Sequence, residues 1–111
     1  MESWNHITDE NQLQEIIESS NEKPAVIFKH SVTCGISAHA KDKLETAWNF
    51  KETDLNFYYL DLLAYRSISN KIASDFGVTH QSPQIIVVKN GAATANFSHQ
   101  AISVDRLRKE I

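Results

Sequence analysis

One cysteine, Cys34, stands in the stretch His30-Ser31-Val32-Thr33-Cys34-Gly35-Ile36-Ser37, where an apolar run gives way to a long helical pattern. A sulfur in the first turn of a helix faces unpaired backbone N–H groups and the positive end of the helix dipole, and both favour the thiolate. The thiolate is the form that attacks disulfides. Ser37 stands three residues on, one turn above Cys34 on nearly the same face, where a C-x-x-C redox site carries its second sulfur. These residues therefore describe a single-thiol site. Ser37 either donates a hydrogen bond to the thiolate or is an ordinary solvent-side helix serine. A lone cysteine is commonly buried and inert, but a place at the start of a helix argues for reactivity.

The elements that must position this sulfur follow from periodicity. From a cap at Thr8 or Asp9, Leu13, Ile16 and Ile17 repeat at helical spacing to about Ser19. Ala25 to His30 is apolar on consecutive positions, as a central strand covered on both faces requires. Cys34 to about Lys51 carries Ile36, Ala40, Leu44, Ala47 and Trp48 at helical spacing, with Thr33 as the expected N-cap. Asn56 to Asp61 reads as a second strand. Ile68, Ile72 and Phe76 mark a third helix closed by Gly77. Gln84 to Lys89 is a third strand, joined through the type I′ signal Asn90-Gly91 to a fourth at about Ala92 to Ser98. Ser103 caps a last helix running to Ile111. The expected architecture is a three-layer α/β/α domain spanning residues 1–111, with a four-stranded mixed sheet and Trp48, Phe28 and Phe76 in its core. The thiol falls just past the C-terminal end of the first strand, where open α/β sheets place their chemistry.

A thiol after the first strand and a proline entering the third resemble the thioredoxin fold. That resemblance implies a cis peptide at Ser82-Pro83, lying against Cys34. It also brings His30 and His80 near the sulfur, where either, as imidazolium, favours thiolate. Asp61, Tyr59 and Tyr65 fall at the same edge of the sheet and within reach of a substrate.

Totals exclude several classes. The formal net charge of −3 gives no electrostatic reason to expect nucleic acid. The segment Met1-Glu2-Ser3-Trp4-Asn5-His6 lacks a basic flank and apolar core of signal-peptide type, and no apolar run approaches a membrane span. A cytoplasmic protein is expected, and an unpaired thiol suits a reducing compartment. No set of His, Cys, Asp and Glu has the paired spacing of a protein-only zinc site, so no metal is expected.

Phe28-Lys29-His30-Ser31-Val32-Thr33-Cys34-Gly35-Ile36-Ser37 and His80-Gln81-Ser82-Pro83-Gln84 are similar to the bacilliredoxin-like YtxJ family, the monothiol bacilliredoxins, over essentially the whole chain. The resemblance implies a thioredoxin fold and a thiol–disulfide oxidoreductase that removes bacillithiol, a small cysteine-containing thiol, from protein mixed disulfides. Bacillithiolated proteins are then the partners. Bacillithiol acts as thiol co-substrate, with no bound cofactor. The nucleophile maps onto Cys34, the serine onto Ser37 and the loop proline onto Pro83. Thr33, Gly35, His80 and Ser82 support or bind substrate, with Ser82 offering backbone groups to an extended thiol substrate and Gly35 allowing close approach.

The family motif is T-C-P-I-S, and Gly35 replaces its proline. Glycine loosens the first helical turn by up to about 1 kcal/mol. The change also moves the site toward C-G-F-S, the signature of monothiol glutaredoxins that hold an iron–sulfur cluster with glutathione. Lys29 lies five residues before Cys34, as in those proteins, but Gln81-Ser82-Pro83 and Asn90-Gly91-Ala92-Ala93 do not match their other motifs. A cluster carrier, and a redox-responsive adaptor without turnover, are the alternatives.

Overall fold

The run Ala-Val-Ile-Phe-Lys-His is buried at every position, and this is what places it at the centre of the sheet. In a computed structural model that describes residues 4–111, it forms the middle strand of five. Met1–Ser3, part of the N-terminal segment considered above, lie outside the described residues. The elements in order are β1 (Asn5–His6), α1 (Gln12–Ser19), β2 (Ala25–His30), α2 (Gly35–Ala47), β3 (Asn56–Asp61), α3 (Arg66–Phe76), β4 (Gln84–Lys89), β5 (Ala92–Ser98), a 3-10 turn (His99–Ala101) and α4 (Val104–Glu110). The sheet order is β1-β3-β2-β4-β5. β1, β3 and β2 run parallel, β4 is antiparallel to β2, and β5 is antiparallel to β4.

Side chains alternate across β2 and so feed two cores. Val26 and Phe28 meet Ala40 and Leu44 of α2 and Leu107 of α4 on one face. Ala25 and Ile27 meet Leu13 and Ile16 of α1 and Ile68 and Ile72 of α3 on the other. Phe28 is fully buried, and Trp48 and Phe76 pack from the periphery of the two cores.

The sheet has a fifth strand that the periodicity did not predict. β1 is two exposed residues long, too short to show alternation; it is held by its register on Tyr58 and Tyr59 and by Ile7 N–H donating to Tyr59 O at 2.8 Å. α2 ends at Ala47 rather than Lys51. Trp48 leaves the helix at φ −58°, ψ 117°, and its ring packs on Trp4, Phe50 and Phe57 with centroids 4.9–5.5 Å away. α1 starts at Gln12, because the Gln12 side chain accepts from the N–H groups of Thr8 and Asp9 and holds them in the preceding turn. Local chemistry elsewhere follows expectation. Gly77 closes α3 at φ 64°, Asn90 and Gly91 turn the hairpin at φ 50° and 79°, and Ser103 Oγ accepts from Arg106 N–H at 3.0 Å.

Candidate active site

β2 delivers the chain to a short loop, and the loop delivers Cys34 to the N-terminus of α2. Cys34 is itself the N-cap, at φ −101°, ψ 123°, so Thr33 does not cap the helix and is exposed instead. The Cys34 N–H donates to Ser31 O at 3.1 Å and its carbonyl accepts from Ala38 N–H at 2.9 Å. Cys34 is thus half-buried at the N-cap, just before the first-turn N–H groups that have no intrahelical acceptors, and its side chain makes no capping hydrogen bond. Val32 (56% exposed), Ile36 (49%) and Leu63 (40%) present apolar side chains at the same end of the parallel strands. The position a Cβ would take at Gly35 is open to 4 Å.

Ser37 is not a solvent-side serine. It is fully buried, accepts from Ser31 N–H at 3.0 Å and pairs with His30 Nδ1 at 2.8 Å. Its hydroxyl ties the loop to the end of β2, and among the described residues it makes no hydrogen bond to the Cys34 sulfur. The His30 ring packs against those of Phe28 and Tyr59, each 5.6 Å away. Burial, then the charge of Lys41, push its pKa below the ordinary imidazole value, against weaker opposition from Asp61, Ser37 and Glu45. These effects favour the neutral ring over the imidazolium that would have helped hold a thiolate.

The Ser82-Pro83 peptide is cis. Pro83 is buried, and its carbonyl accepts from His99 N–H at 3.1 Å. His99 in turn lines a groove of about 230 Å³ with Gly35, Ile36, His39 and Gln100, so the 3-10 turn links the proline loop to the start of α2. Ser82 Oγ is buried without a protein partner. A larger cavity of about 380 Å³, between Trp48, Lys51 and Phe57, lies at the opposite end of the parallel strands and shares none of these residues.

His80 sits above β2 through Lys29. The Lys29 side chain is fully buried; its ammonium donates to Ser69 O at 3.1 Å and lies 3.2 Å from His80 Nδ1. Burial lowers the Lys29 pKa to about 8. Burial, then the charges of Lys29 and Arg66, lower that of His80, which again favours the neutral ring.

Two groups expected at the substrate edge also serve the scaffold. Tyr59 is buried in the core, its pKa raised to about 12 by burial and by the negative charges of Asp61 and Glu45. The Asp61 carboxylate accepts from Leu63 N–H at 3.2 Å and closes the turn after β3. Tyr65 is partly buried at the N-cap of α3.

Sequence reasoning missed the contributions of Gln84 and His99, and weighed Lys29 only for its spacing from Cys34. Lys29 is a lone charge in an apolar strand, and that is a readable signal. Gln84, fully buried, accepts from Gln81 N–H and donates to Thr79 O, stitching the proline loop together. His99 has no motif around it, and only the tertiary fold places it. Among the described residues no group of three His, Cys, Asp or Glu is placed to hold a metal ion.

The architecture is that of thioredoxins. The thioredoxins of Malassezia sympodialis (18% identity, 96% of this chain and 86% of that one, TM-score 0.72) and Fasciola hepatica (18%, 95% and 93%, TM-score 0.68) share the fold. A candidate oxidoreductase with a thioredoxin fold is more similar, at 31% identity over 98% of this chain and 94% of that one, with a TM-score of 0.83. What separates this chain from the dithiol pattern is a buried serine where a second sulfur would stand, and residues 5–107 match the family of the monothiol bacilliredoxin BrxC. The chain is a thioredoxin-fold thiol redox protein and belongs to the monothiol bacilliredoxin family.

Proposed function

We propose that this protein removes bacillithiol from protein mixed disulfides by single-thiol exchange at Cys34. The observation that carries the reading is a half-buried thiol at the N-cap of α2 with the buried Ser37 hydroxyl in the second-cysteine position. The Cys34 thiolate attacks the bacillithiol sulfur, and the substrate disulfide breaks as the Cys34–bacillithiol disulfide forms. The protein thiolate leaves and takes a proton from solvent. No electrons are gained or lost overall. The only cysteine is then blocked, so an external thiol must release bacillithiol and restore it.

The surroundings suit this exchange. Ser82, just before Pro83, offers backbone N–H and C=O groups to which an extended substrate adds like a strand. Thr33 and the open space above Gly35 border the approach to the sulfur. Val32, Ile36 and Leu63 supply an apolar rim to a protein carrying the mixed disulfide. His80, with its pKa lowered by burial and by the charges of Lys29 and Arg66, is suited to offer a hydrogen bond rather than a charge. Incubation with a bacillithiolated protein tests the reading: the wild type frees the substrate thiol and Cys34→Ser does not. Equal release by both removes Cys34 from the role.

A further inference from the structure

Lysine is almost never fully buried unless it is paired. Lys29 is fully buried and has no carboxylate within ion-pair distance among the described residues. Its partners are Ser69 O at 3.1 Å and His80 Nδ1 at 3.2 Å, while Ser69 Oγ lies 3.4 Å from the same ring nitrogen. An ammonium has donors and no lone pair, so the imidazole nitrogen facing it is the acceptor. The proton of the neutral ring is then on Nε2. A proton on Nδ1 would aim one donor at another. His80 is exposed, so with Nδ1 turned inward the Nε2–H edge faces outward, and it has no protein partner among the described residues.

We infer that Lys29 is a positioning residue: from the α1–α3 face of β2 it locks His80 as the neutral Nε2–H tautomer, making the outer edge of the ring a hydrogen-bond donor to oxygen acceptors of the thiol substrate. The substrate's location rests on the proposed function; the tautomer does not. The charged groups bearing on His80 are Lys29 from β2 and Arg66 from α3, both positive, and both oppose a second proton on the ring. Lys29 also explains why a charge is kept inside an otherwise apolar strand. Methionine would fill the same space, but only a donor fixes which nitrogen of the ring carries the proton.

Two readouts test this. Nitrogen-15 NMR of the His80 ring at pH 7 is expected to show Nδ1 unprotonated and Nε2 protonated in the wild type. In Lys29→Met, the ring becomes a mixture of tautomers and its titration midpoint rises toward the ordinary value near ~6.5. The rate of Cys34 with bacillithiol disulfide is expected to fall about 3- to 10-fold in Lys29→Met, the range for loss of one hydrogen bond. His80→Gln, whose amide nitrogen stands near Nε2, keeps most of the rate, whereas His80→Asn, which mimics Nδ1, loses it. The wild-type tautomer and the Gln/Asn pair decide the matter even if Lys29→Met fails to fold. An Nδ1–H tautomer in the wild type, or a ring unmoved by Lys29→Met, overturns the assignment. A ring that shifts while all variants react at equal rates makes Lys29 purely structural and overturns its positioning role. A wild type inert to bacillithiol refutes the proposed function and with it the donor role, while the NMR arm still reads the tautomer.

Discussion

Restoring the family proline by Gly35→Pro is expected to stabilise the fold, and the structure supplies each term. Gly35 is the first residue of α2, where the N–H has no intrahelical acceptor and proline's fixed φ suits the helix. Proline confines the preceding residue to extended backbone, with φ about −120 ± 40° and ψ about +120 to +160°. Cys34 already sits at φ −101°, ψ 123°. Apart from its chain neighbours and the helix's own backbone, no atom lies within 4 Å of the added Cβ position, so that carbon displaces nothing packed across from it. The gain is lost freedom of the unfolded chain, about 1 kcal/mol. With an m-value of about 2 kcal/mol per molar urea, the unfolding midpoint rises by about 0.5 M. Urea titrations of both proteins, reduced and at equal pH, provide the comparison. A midpoint that falls at unchanged m refutes the reasoning, because it means the first turn relies on a conformation or an N–H that proline denies it.

Ser37→Ala leaves Ser31 N–H and His30 Nδ1 unpartnered in the interior, and should cost about 1–3 kcal/mol in the same titration; an unchanged midpoint would show that the hydroxyl does not hold the loop. The lowered pKa values of His30 and His80 mean that the unfolded chain binds their protons more readily. Their contribution is therefore fully present above the unfolded value near ~6.5 and is lost as pH falls through the folded values, so stability should drop on acidification below that point. Lys29, lowered from 10.5 to about 8, has the same sign: stability gains as pH rises from about 8 toward 10.5, and this slope should vanish in Lys29→Met. Ile36→Ser removes a half-exposed apolar side chain worth about 1 kcal/mol on docking, so a protein mixed disulfide should react about fivefold more slowly while a small disulfide is little affected; equal slowing of both would place Ile36 in the chemistry rather than the rim.

The sequence made the scaffold legible wherever burial imposes a period. The consecutive apolar residues of β2, the helical spacing of Ile68, Ile72 and Phe76, and the turn chemistry of Gly77, Asn90-Gly91 and Ser103 all correspond to observed elements. Two-residue β1 carries no period and was invisible. The end of α2 was misplaced because Trp48 continues the helical spacing while its ring docks on Trp4, Phe50 and Phe57 outside the helix. At the site, the thiol, the serine in the second-cysteine position and the proline were readable because single residue types mark them, but the burial of that serine was not. Side-chain direction was not. Nothing local says that Ser37 turns toward His30, that Lys29 reaches His80 across 51 positions, or that His99 docks on the proline loop. Those facts depend on which elements become neighbours, and so do the lowered pKa values of both histidines.

The most direct test of a single-thiol exchange is the intact mass and peptide map of the protein after reaction with a bacillithiolated substrate, with no other thiol present. One bacillithiol per chain, located on Cys34 and persisting until an external thiol is added, is the predicted result. An unmodified Cys34 beside a deprotected substrate, or an adduct that leaves without an added thiol, would contradict it.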